Sequence, residues 1–296
     1  MIFKGVLLPI FIVISLGFIL GKRRKIDTRS VSGISLYILT PSLILYSLVE
    51  KNQIKDSLKI VVFVFIFTFS LLMVSYSISR LMRLEREKRS AFLLSSLFIN
   101  AGNYGLPFCL FTFGQEGLNT AIFFVVGETI LLYSLAIFIA SQKSGDMLSS
   151  LSQIFYMPLI YAVLFALFIN YLSFELPEFL LKIVALLAGA AIPILLILLG
   201  IQLSKTKVKG DLKNVFLANF LRLFLSPLLA FLLLNFFEVS PLVRSVLIVE
   251  ASMPTAVNSA LISIEFDAKP EFVSTAVLTS TLLSIFSLSL VVHFLT

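Results

Sequence analysis

The sequence has few of the residues on which soluble enzymes and metalloproteins depend. Its 296 residues include one Cys, one His and no Trp, and 13% are charged, against roughly a quarter in an average soluble domain. The lone Cys109 excludes a disulfide within the chain and a cysteine-based metal site, and the lone His293 excludes a zinc motif of the HExxH type. No phosphate loop of the Walker type occurs, so ATP is not expected to drive the protein directly. Neither a cofactor nor enzymatic activity is expected.

Long apolar runs dominate the chain instead. Hydrophobic residues make up 59% of it, the mean hydropathy is +1.06, and many runs reach the roughly 20 residues that a membrane helix needs. The sequence therefore predicts an all-α polytopic membrane protein with almost no soluble part. Ten transmembrane helices are predicted, at 3–21, 30–49, 57–79, 90–113, 118–140, 150–172, 178–203, 212–237, 241–265 and 271–295.

The basic residues indicate how the chain is oriented in the membrane. Sixteen of the 23 Lys and Arg residues lie in the loops that follow odd-numbered spans, and six lie on the opposite side. Because basic residues concentrate in cytoplasmic loops, both termini are predicted to face outside. The formal charge of +7 is thus a topology signal rather than a sign of nucleic-acid binding.

The two halves of the chain resemble each other. Residues 89–106, RSAFLLSSLFINAGNYGL, align with residues 244–261, RSVLIVEASMPTAVNSAL, with matched Arg, Ser, Ala, Asn and Leu. Each half contains five predicted spans, and five is odd, so the second half would be inserted upside down, as in many secondary transporters. The predicted repeats are residues 1–145 and 146–296.

Both halves interrupt a span at corresponding positions. Span 4 contains NAGNYGLP at 100–107 and span 9 contains ASMPTAVNSA at 251–260. The two broken helices are predicted to cross near the middle of the membrane, with new segments that begin near Pro107 and near Pro254. Their N-terminal ends carry unpaired N–H groups and partial positive charge, which favour a carboxylate. The predicted helix-breaking residues are Gly102, Gly105, Pro107 and Pro254, and the predicted substrate-binding residues are Asn100, Asn103, Thr255 and Asn258.

Each of these features also has a purely structural interpretation. A proline in a membrane helix is most often a kink, glycines permit close helix packing, and asparagines join neighbouring helices. For one interrupted helix alone, that interpretation is the better one. Two interruptions at matching repeat positions, each with polar neighbours, favour a transport site.

Three ionisable residues lie deep inside predicted spans: Glu128, Glu250 and Arg222. Charged groups are costly in a membrane, so each is expected to be functional or paired. Glu250 lies one helical turn before Pro254 and could take up a proton, help to bind a cation or pair with Arg222. Glu128 could take part in coupling or accept a cross-helix hydrogen bond. Arg222 is expected to extend its guanidinium to the membrane surface. Proton coupling through Glu250 is the first hypothesis, and sodium coupling stays open.

The residues around the two interruptions resemble those of the auxin efflux carrier family, which includes plant auxin exporters and bacterial permeases for malonate and malate. The resembling stretches are NAGNYGLP (100–107) and MPTAVNSALISIEFDAKPEFVSTAVLTST (253–281), within a likeness that covers essentially the whole chain. The resemblance implies a bile-acid-symporter-like fold. Its scaffold domain would contain spans 1, 2, 6 and 7, and its crossover core domain spans 3–5 and 8–10. It also implies that Asn100 binds the substrate carboxylate beside Pro107.

A secondary transporter for small mono- or dicarboxylates in the cytoplasmic membrane is therefore expected. Its partners would be the organic acid and lipid, without nucleic acid, and a homodimer is one oligomeric state left open. The alternatives are a membrane receptor or regulatory protein and a channel, which would bind a small ligand without coupled transport. An intramembrane enzyme is disfavoured, because no nucleophile–base pair or metal triad is apparent.

Overall fold

The computed structural model describes residues 3–49, 56–141 and 157–295, and this part of the chain is helical. Its one β-type contact is an isolated antiparallel bridge between Ile99 and Thr255. The prediction of an all-α membrane protein is confirmed for these ranges.

Fourteen α-helices occupy the described ranges, and several of them are joined by single π-helical turns. The α-helices are α1 (Leu8–Arg23), α2 (Thr28–Ile34), α3 (Thr40–Val49), α4 (Ser57–Leu81), α5 (Arg86–Leu97), α6 (Leu106–Leu131), α7 (Ile137–Ser141), α8 (Pro158–Tyr171), α9 (Glu178–Ser204), α10 (Leu212–Phe220), α11 (Ser226–Leu233), α12 (Pro241–Ala251), α13 (Val257–Glu265) and α14 (Pro270–Leu295). The π-helical turns are Phe3–Leu7, Ser35–Leu39, Ala101–Gly105, Leu132–Ala136 and Leu221–Leu225, and a 3₁₀ turn spans Leu234–Phe236.

Seven continuous helical stretches in the described ranges are long and apolar enough to cross a membrane. Six coincide with predicted spans, and the seventh joins the second half of span 4 to span 5. Many large apolar side chains on these stretches are exposed, as suits a surface in contact with lipid. The seven stretches are Phe3–Arg23, Thr28–Val49, Ser57–Leu81, Ala101–Ser141, Glu178–Ser204, Leu212–Phe236 and Pro270–Leu295.

The stretch Ala101–Ser141 turns sharply at Gly114. Its 41 residues would extend about 60 Å as one straight helix, about twice the thickness of the hydrocarbon core. At Gly114 the backbone has φ 67° and ψ −158°, values that essentially only glycine adopts. The predicted boundary between spans 4 and 5 therefore corresponds to this turn.

The remaining predicted spans are interrupted or only partly described. Spans 4 and 9 contain helices of 12 residues (α5), 11 residues (α12) and 9 residues (α13), each too short to cross the membrane alone. Span 6 is described as α8, and its predicted residues 150–156 lie outside the described ranges. Ten membrane crossings and their arrangement as an inverted repeat stay predictions.

The helices pack in two groups. In the first group, α1 lies along α9, and α3 packs on both α8 and α9. Gly17 and Gly200 allow the closest approach, because a Cβ atom at either would overlap backbone atoms of the opposite helix. In the second group, α6 packs on α4 and α12, and α5 packs on α4, α10 and α14. The interrupted helices thus all belong to the second group.

Replacement of Gly114 by Ala should destabilise the protein, because a side chain at this φ and ψ is strained. We expect a loss of about 1–3 kcal/mol, measured by unfolding of the purified protein in detergent. Gly189→Ala in α9 is the matched control, since a Cβ there meets no atom within 4 Å. It should be neutral or stabilising. Equal stability of the Gly114→Ala variant and the wild type would contradict the turn.

Candidate functional site

The first interruption of the backbone separates α5 from α6. α5 ends at Leu97, Phe98 is extended with φ −89° and ψ 136°, and helical structure resumes at Ala101. The sequence predicted that this second segment begins near Pro107, whereas the structure has it begin at Ala101. Pro107 follows the π-helical turn Ala101–Gly105 at the second residue of α6, so it lies inside the continuous helical stretch and does not mark the break itself.

The second interruption separates α12 from α13. α12 ends at Ala251, and α13 begins at Val257, three residues after Pro254. The sequence predicted a start near Pro254 itself. Pro254 instead lies between the two helices, where its missing N–H group and its effect on the preceding residue keep the chain out of helical geometry.

The two interruptions pair with each other through their backbones. The Asn100 N–H group donates to the Pro254 carbonyl at 2.9 Å, and the Ala256 N–H group donates to the Phe98 carbonyl at 2.9 Å. Backbone groups released from a helix cannot be left unpaired in lipid, so they must be satisfied within the protein. Each interruption therefore supplies the partners that the other requires.

Thr255 supports this pairing with its side chain and its backbone. Its hydroxyl donates to the Ser95 carbonyl at 2.7 Å, and its N–H group donates to the Ser280 hydroxyl at 3.1 Å. Thr255 is fully buried. Its hydroxyl therefore already has a hydrogen-bond partner near the end of α5.

The C-terminal ends of α5 and α12 share one buried cation. Arg222 donates from Nη1 to the carbonyls of Leu97 at 2.8 Å and Ser96 at 3.3 Å, and from Nη2 to the carbonyl of Ala251 at 2.6 Å. Nη2 also contacts the Ser226 hydroxyl, which itself donates to Ala251 at 2.7 Å. A helix C-terminus carries unpaired carbonyls and partial negative charge, so the guanidinium stabilises both ends at once.

The expectation that Arg222 reaches the membrane surface is wrong. Its side chain has no exposed area and lies among the ends of two helices from different parts of the chain. Arg222 does not need to reach the surface, because the unpaired carbonyls at the ends of α5 and α12 accept its hydrogen bonds, which lipid could not do.

A cavity of about 100 Å³ lies where the helical segments that follow the two interruptions begin. Residues of both interruptions form one wall, and α6, α8, α9 and the segment around α3 form the others. The lining residues are Leu36, Thr40, Ile99, Asn100, Ala101, Gly102, Asn103, Leu106, Val125, Glu128, Thr129, Leu132, Tyr133, Leu159, Leu195, Ala256, Val257 and Asn258.

Two polar atoms of the cavity wall have unused hydrogen-bonding capacity. Asn100 is 5% exposed and Glu128 4% exposed. Neither Nδ2 of Asn100 nor Oε2 of Glu128 has a hydrogen-bond partner among the residues that the structure describes. The other carboxylate oxygen of Glu128 accepts from the Ile99 N–H group at 2.7 Å. Buried polar atoms are normally paired, so an unpaired donor and acceptor in one cavity indicate a place for a ligand.

Comparison with known proteins shows the family of the chain. A family model for membrane transport proteins, which describes the auxin efflux carriers, matches residues 2–292. The chain belongs to the auxin efflux carrier family.

Two relatives match over the same extent. An uncharacterized transporter of Methanothermobacter thermautotrophicus is 30% identical over 98% of both chains. An uncharacterized transporter of Methanocaldococcus jannaschii is 27% identical, again over 98% of both chains. This auxin efflux carrier is therefore similar to transporters along its whole length.

The structure brings most of the sequence-predicted site residues of the carrier together. Asn100, Asn103 and Asn258 line one cavity with Gly102, although more than 150 residues separate the two interruptions in sequence. Thr255 does not line it. Sequence reasoning missed that Arg222 joins the two interruptions, and the available signal was an arginine followed four residues later by Ser226 inside an apolar span.

Glu250 contacts the beginning of α6. Its Oε1 accepts from the Cys109 thiol at 3.4 Å, and a side chain at Gly105 would overlap its carboxylate. It does not line the cavity. Of the three possibilities left open for Glu250, direct pairing with Arg222 is not found, since no ion pair joins the two residues in the described ranges. Glu128 does accept a hydrogen bond, but from the Ile99 N–H group in the first interruption rather than from a neighbouring helix.

A second cavity of about 340 Å³ lies between the end of α9 and helices α13 and α14. Lys205, Lys207 and Lys209 line it, and Val257 lines both this cavity and the smaller one. Lys205 donates to the Ile26 carbonyl at 2.8 Å, and Nζ of Lys209 lies 3.6 Å from Oε1 of Glu271, which also lines this cavity. With three lysines and one acid among its described residues, the opening beside the smaller cavity is basic on balance.

Loss of the guanidinium should destabilise the carrier. In Arg222→Met, the carbonyls at the end of α5 lose their donors inside the protein, and we expect a loss of about 3 kcal/mol or more. Arg222→Lys keeps the charge, but one ammonium cannot reach all the acceptors, so its stability should be intermediate. Thermal unfolding in detergent measures both.

Arg244→Met is the matched control for these variants. The Arg244 guanidinium bonds the Leu234 carbonyl and Asn235 at the partly exposed start of α12. Its loss should cost no more than about 1 kcal/mol. If Arg222→Met and Arg244→Met were equally stable, the role of Arg222 at the interruptions would be refuted.

Proposed function

We propose that this chain is a secondary active transporter of small organic anions, mono- or dicarboxylates, that binds a carboxylate in the cavity beside the paired interruptions. The observation that carries the proposal is the placement of Asn100, Asn103 and Asn258 around one cavity with an unpaired amide donor. Auxin efflux carriers are membrane transport proteins, and the proposal adds the class of substrate.

The electrostatics of the cavity support an anionic group. The helical segments that begin at Ala101 and Val257 start at the cavity wall, and helix N-termini carry partial positive charge. The amide of Asn100 adds a neutral donor. A carboxylate held by dipoles and amides can be released again more easily than one held by a fixed Lys or Arg, as transport requires.

The size of the cavity supports a small substrate. A volume of about 100 Å³ is well below the roughly 300–1,000 Å³ of pockets that take drug-sized ligands. A short carboxylic acid fits that space better than a bulky one, and the surrounding apolar residues Leu36, Leu159 and Leu195 suit a short carbon chain.

The antiparallel pairing of the two interruptions supports an inverted repeat of two five-helix halves. Residues 98–100 and 254–256 run in opposite directions through the bridge of Ile99 and Thr255. An inverted repeat places its corresponding segments antiparallel, and residues 89–106 also align with residues 244–261 in sequence. We therefore propose ten crossings, with residues 1–145 and 146–296 as the repeats.

Two bodies that move against each other would expose the cavity alternately to the two sides. The group with α1, α3, α8 and α9 corresponds to the proposed scaffold, and the group with the interrupted helices to the proposed core. Both cavities lie between these groups. We propose that the lysine-lined opening faces the cytoplasm, where basic loops concentrate, and attracts anions toward the site.

Replacement of Asn100 by Ala should impair carboxylate transport while the protein stays folded. The backbone of Asn100 makes the pairing bond, and its Nδ2 atom has no partner among the described residues, so folding loses little. Loss of a hydrogen bond to a charged ligand should lower the initial rate of malonate or malate counterflow in proteoliposomes by about ten- to a hundredfold.

Asn214→Ala is the control, since Asn214 bonds Asp211 at the start of α10, away from the cavity. It should leave counterflow unchanged. Counterflow requires a carrier that reorients with its substrate, so its presence in the wild type also separates a transporter from a receptor or a channel. Normal counterflow by Asn100→Ala would remove Asn100 from the site.

A further inference from the structure

The charges buried around the interruptions do not balance. Among the residues that the structure describes, three charged side chains are buried: Arg222, Glu128 and Glu250. One guanidinium can neutralise one carboxylate, and an unpaired charge in a low-dielectric interior is costly. With an empty cavity, one of the two carboxyl groups must therefore carry a proton. A bound substrate carboxylate adds another negative charge and calls for a further proton or cation.

Glu128 is placed to compensate for that additional negative charge by binding a proton. It lines the ligand cavity together with Asn100, whereas Glu250 does not. Oε1 of Glu128 is fixed by the Ile99 N–H group, while Oε2 has no partner in the described ranges. A protonated Oε2 can donate a hydrogen bond to one oxygen of a bound carboxylate, and the Asn100 amide can donate to the other.

The titratable groups around Glu128 come from several elements. Arg222, between α10 and α11, and Glu250, on α12, both interact with it electrostatically. Tyr133, just beyond α6, lines the same cavity. Arg222 is held by carbonyls of α5 and α12 and is not free to follow the substrate. Of these groups, Glu128 is the acid that borders the cavity.

We propose that Glu128 binds one proton at Oε2 each time a carboxylate enters the cavity, and releases it when the carboxylate leaves. The chain would thus move acid and proton together in one direction. The proton comes from the water on the side from which the substrate enters, and no other bond forms or breaks. This coupling rests on the proposed function and adds the driving force to it.

Accumulation of labelled malonate in proteoliposomes tests the coupling. The membrane potential is held at zero with potassium and valinomycin, and the external side is made one pH unit more acidic than the inside. With one proton per substrate, the wild type should accumulate malonate about tenfold. Without a pH gradient the ratio should be one.

Glu128→Gln is the decisive variant, because the amide oxygen can keep the Ile99 hydrogen bond and the NH₂ group can donate to the substrate without a proton. Its malonate ratio should stay near one at every pH gradient, and its counterflow rate should not depend on pH. Glu250→Gln is the matched buried control, since its oxygen can still accept from Cys109. It should retain the pH-driven accumulation.

The results separate the coupling from the proposed function. Counterflow of malonate or malate by the wild type without pH-driven accumulation overturns the coupling and leaves the proposed function standing. Accumulation driven by sodium at equal pH, or pH-driven accumulation that survives in Glu128→Gln, also overturns it. Absence of counterflow for any small carboxylate with the wild type overturns both.

Discussion

The need of every buried backbone N–H and C=O group for a partner determines this structure. Two helices stop in the middle of an apolar chain, and each stop releases groups that lipid cannot satisfy. The pairing of Asn100 with Pro254 and of Phe98 with Ala256 solves part of the problem. Arg222 solves much of the rest, because it reaches carbonyls of both α5 and α12. The interruptions are therefore stable only together.

This solution gives the two sides of the pairing opposite electrostatic character. On one side, negative helix ends are covered by a buried guanidinium. On the other, helix starts with partial positive charge border a cavity that also contains Asn100 and Glu128. The proposed place for a carboxylate, beside an acid that can hold a proton, rests on this arrangement, and no Lys or Arg is among the described residues that line the cavity.

Much of this could be predicted from the sequence, because both the apolar runs and the repeat leave strong patterns. Matching proline-containing interruptions indicated that Asn100, Asn103 and Asn258 would meet, and they do line one cavity. The starts of the new helices were misplaced, because neither proline stands at a helix start: Pro107 lies six residues after Ala101, and Pro254 lies three residues before Val257. The local pattern of Arg222 with Ser226 four residues later does not identify the other partners of Arg222, because those depend on packing between distant helices.

The hydrogen bonds that join the interruptions use main-chain atoms, which every amino acid other than proline supplies equally. Side chains along the cavity, such as Asn103 and Asn258, can therefore be exchanged during evolution without loss of the backbone hydrogen bonds that pair the two interruptions. A single architecture of this kind could acquire new cargo through a few point mutations, while its mechanical framework is inherited unchanged.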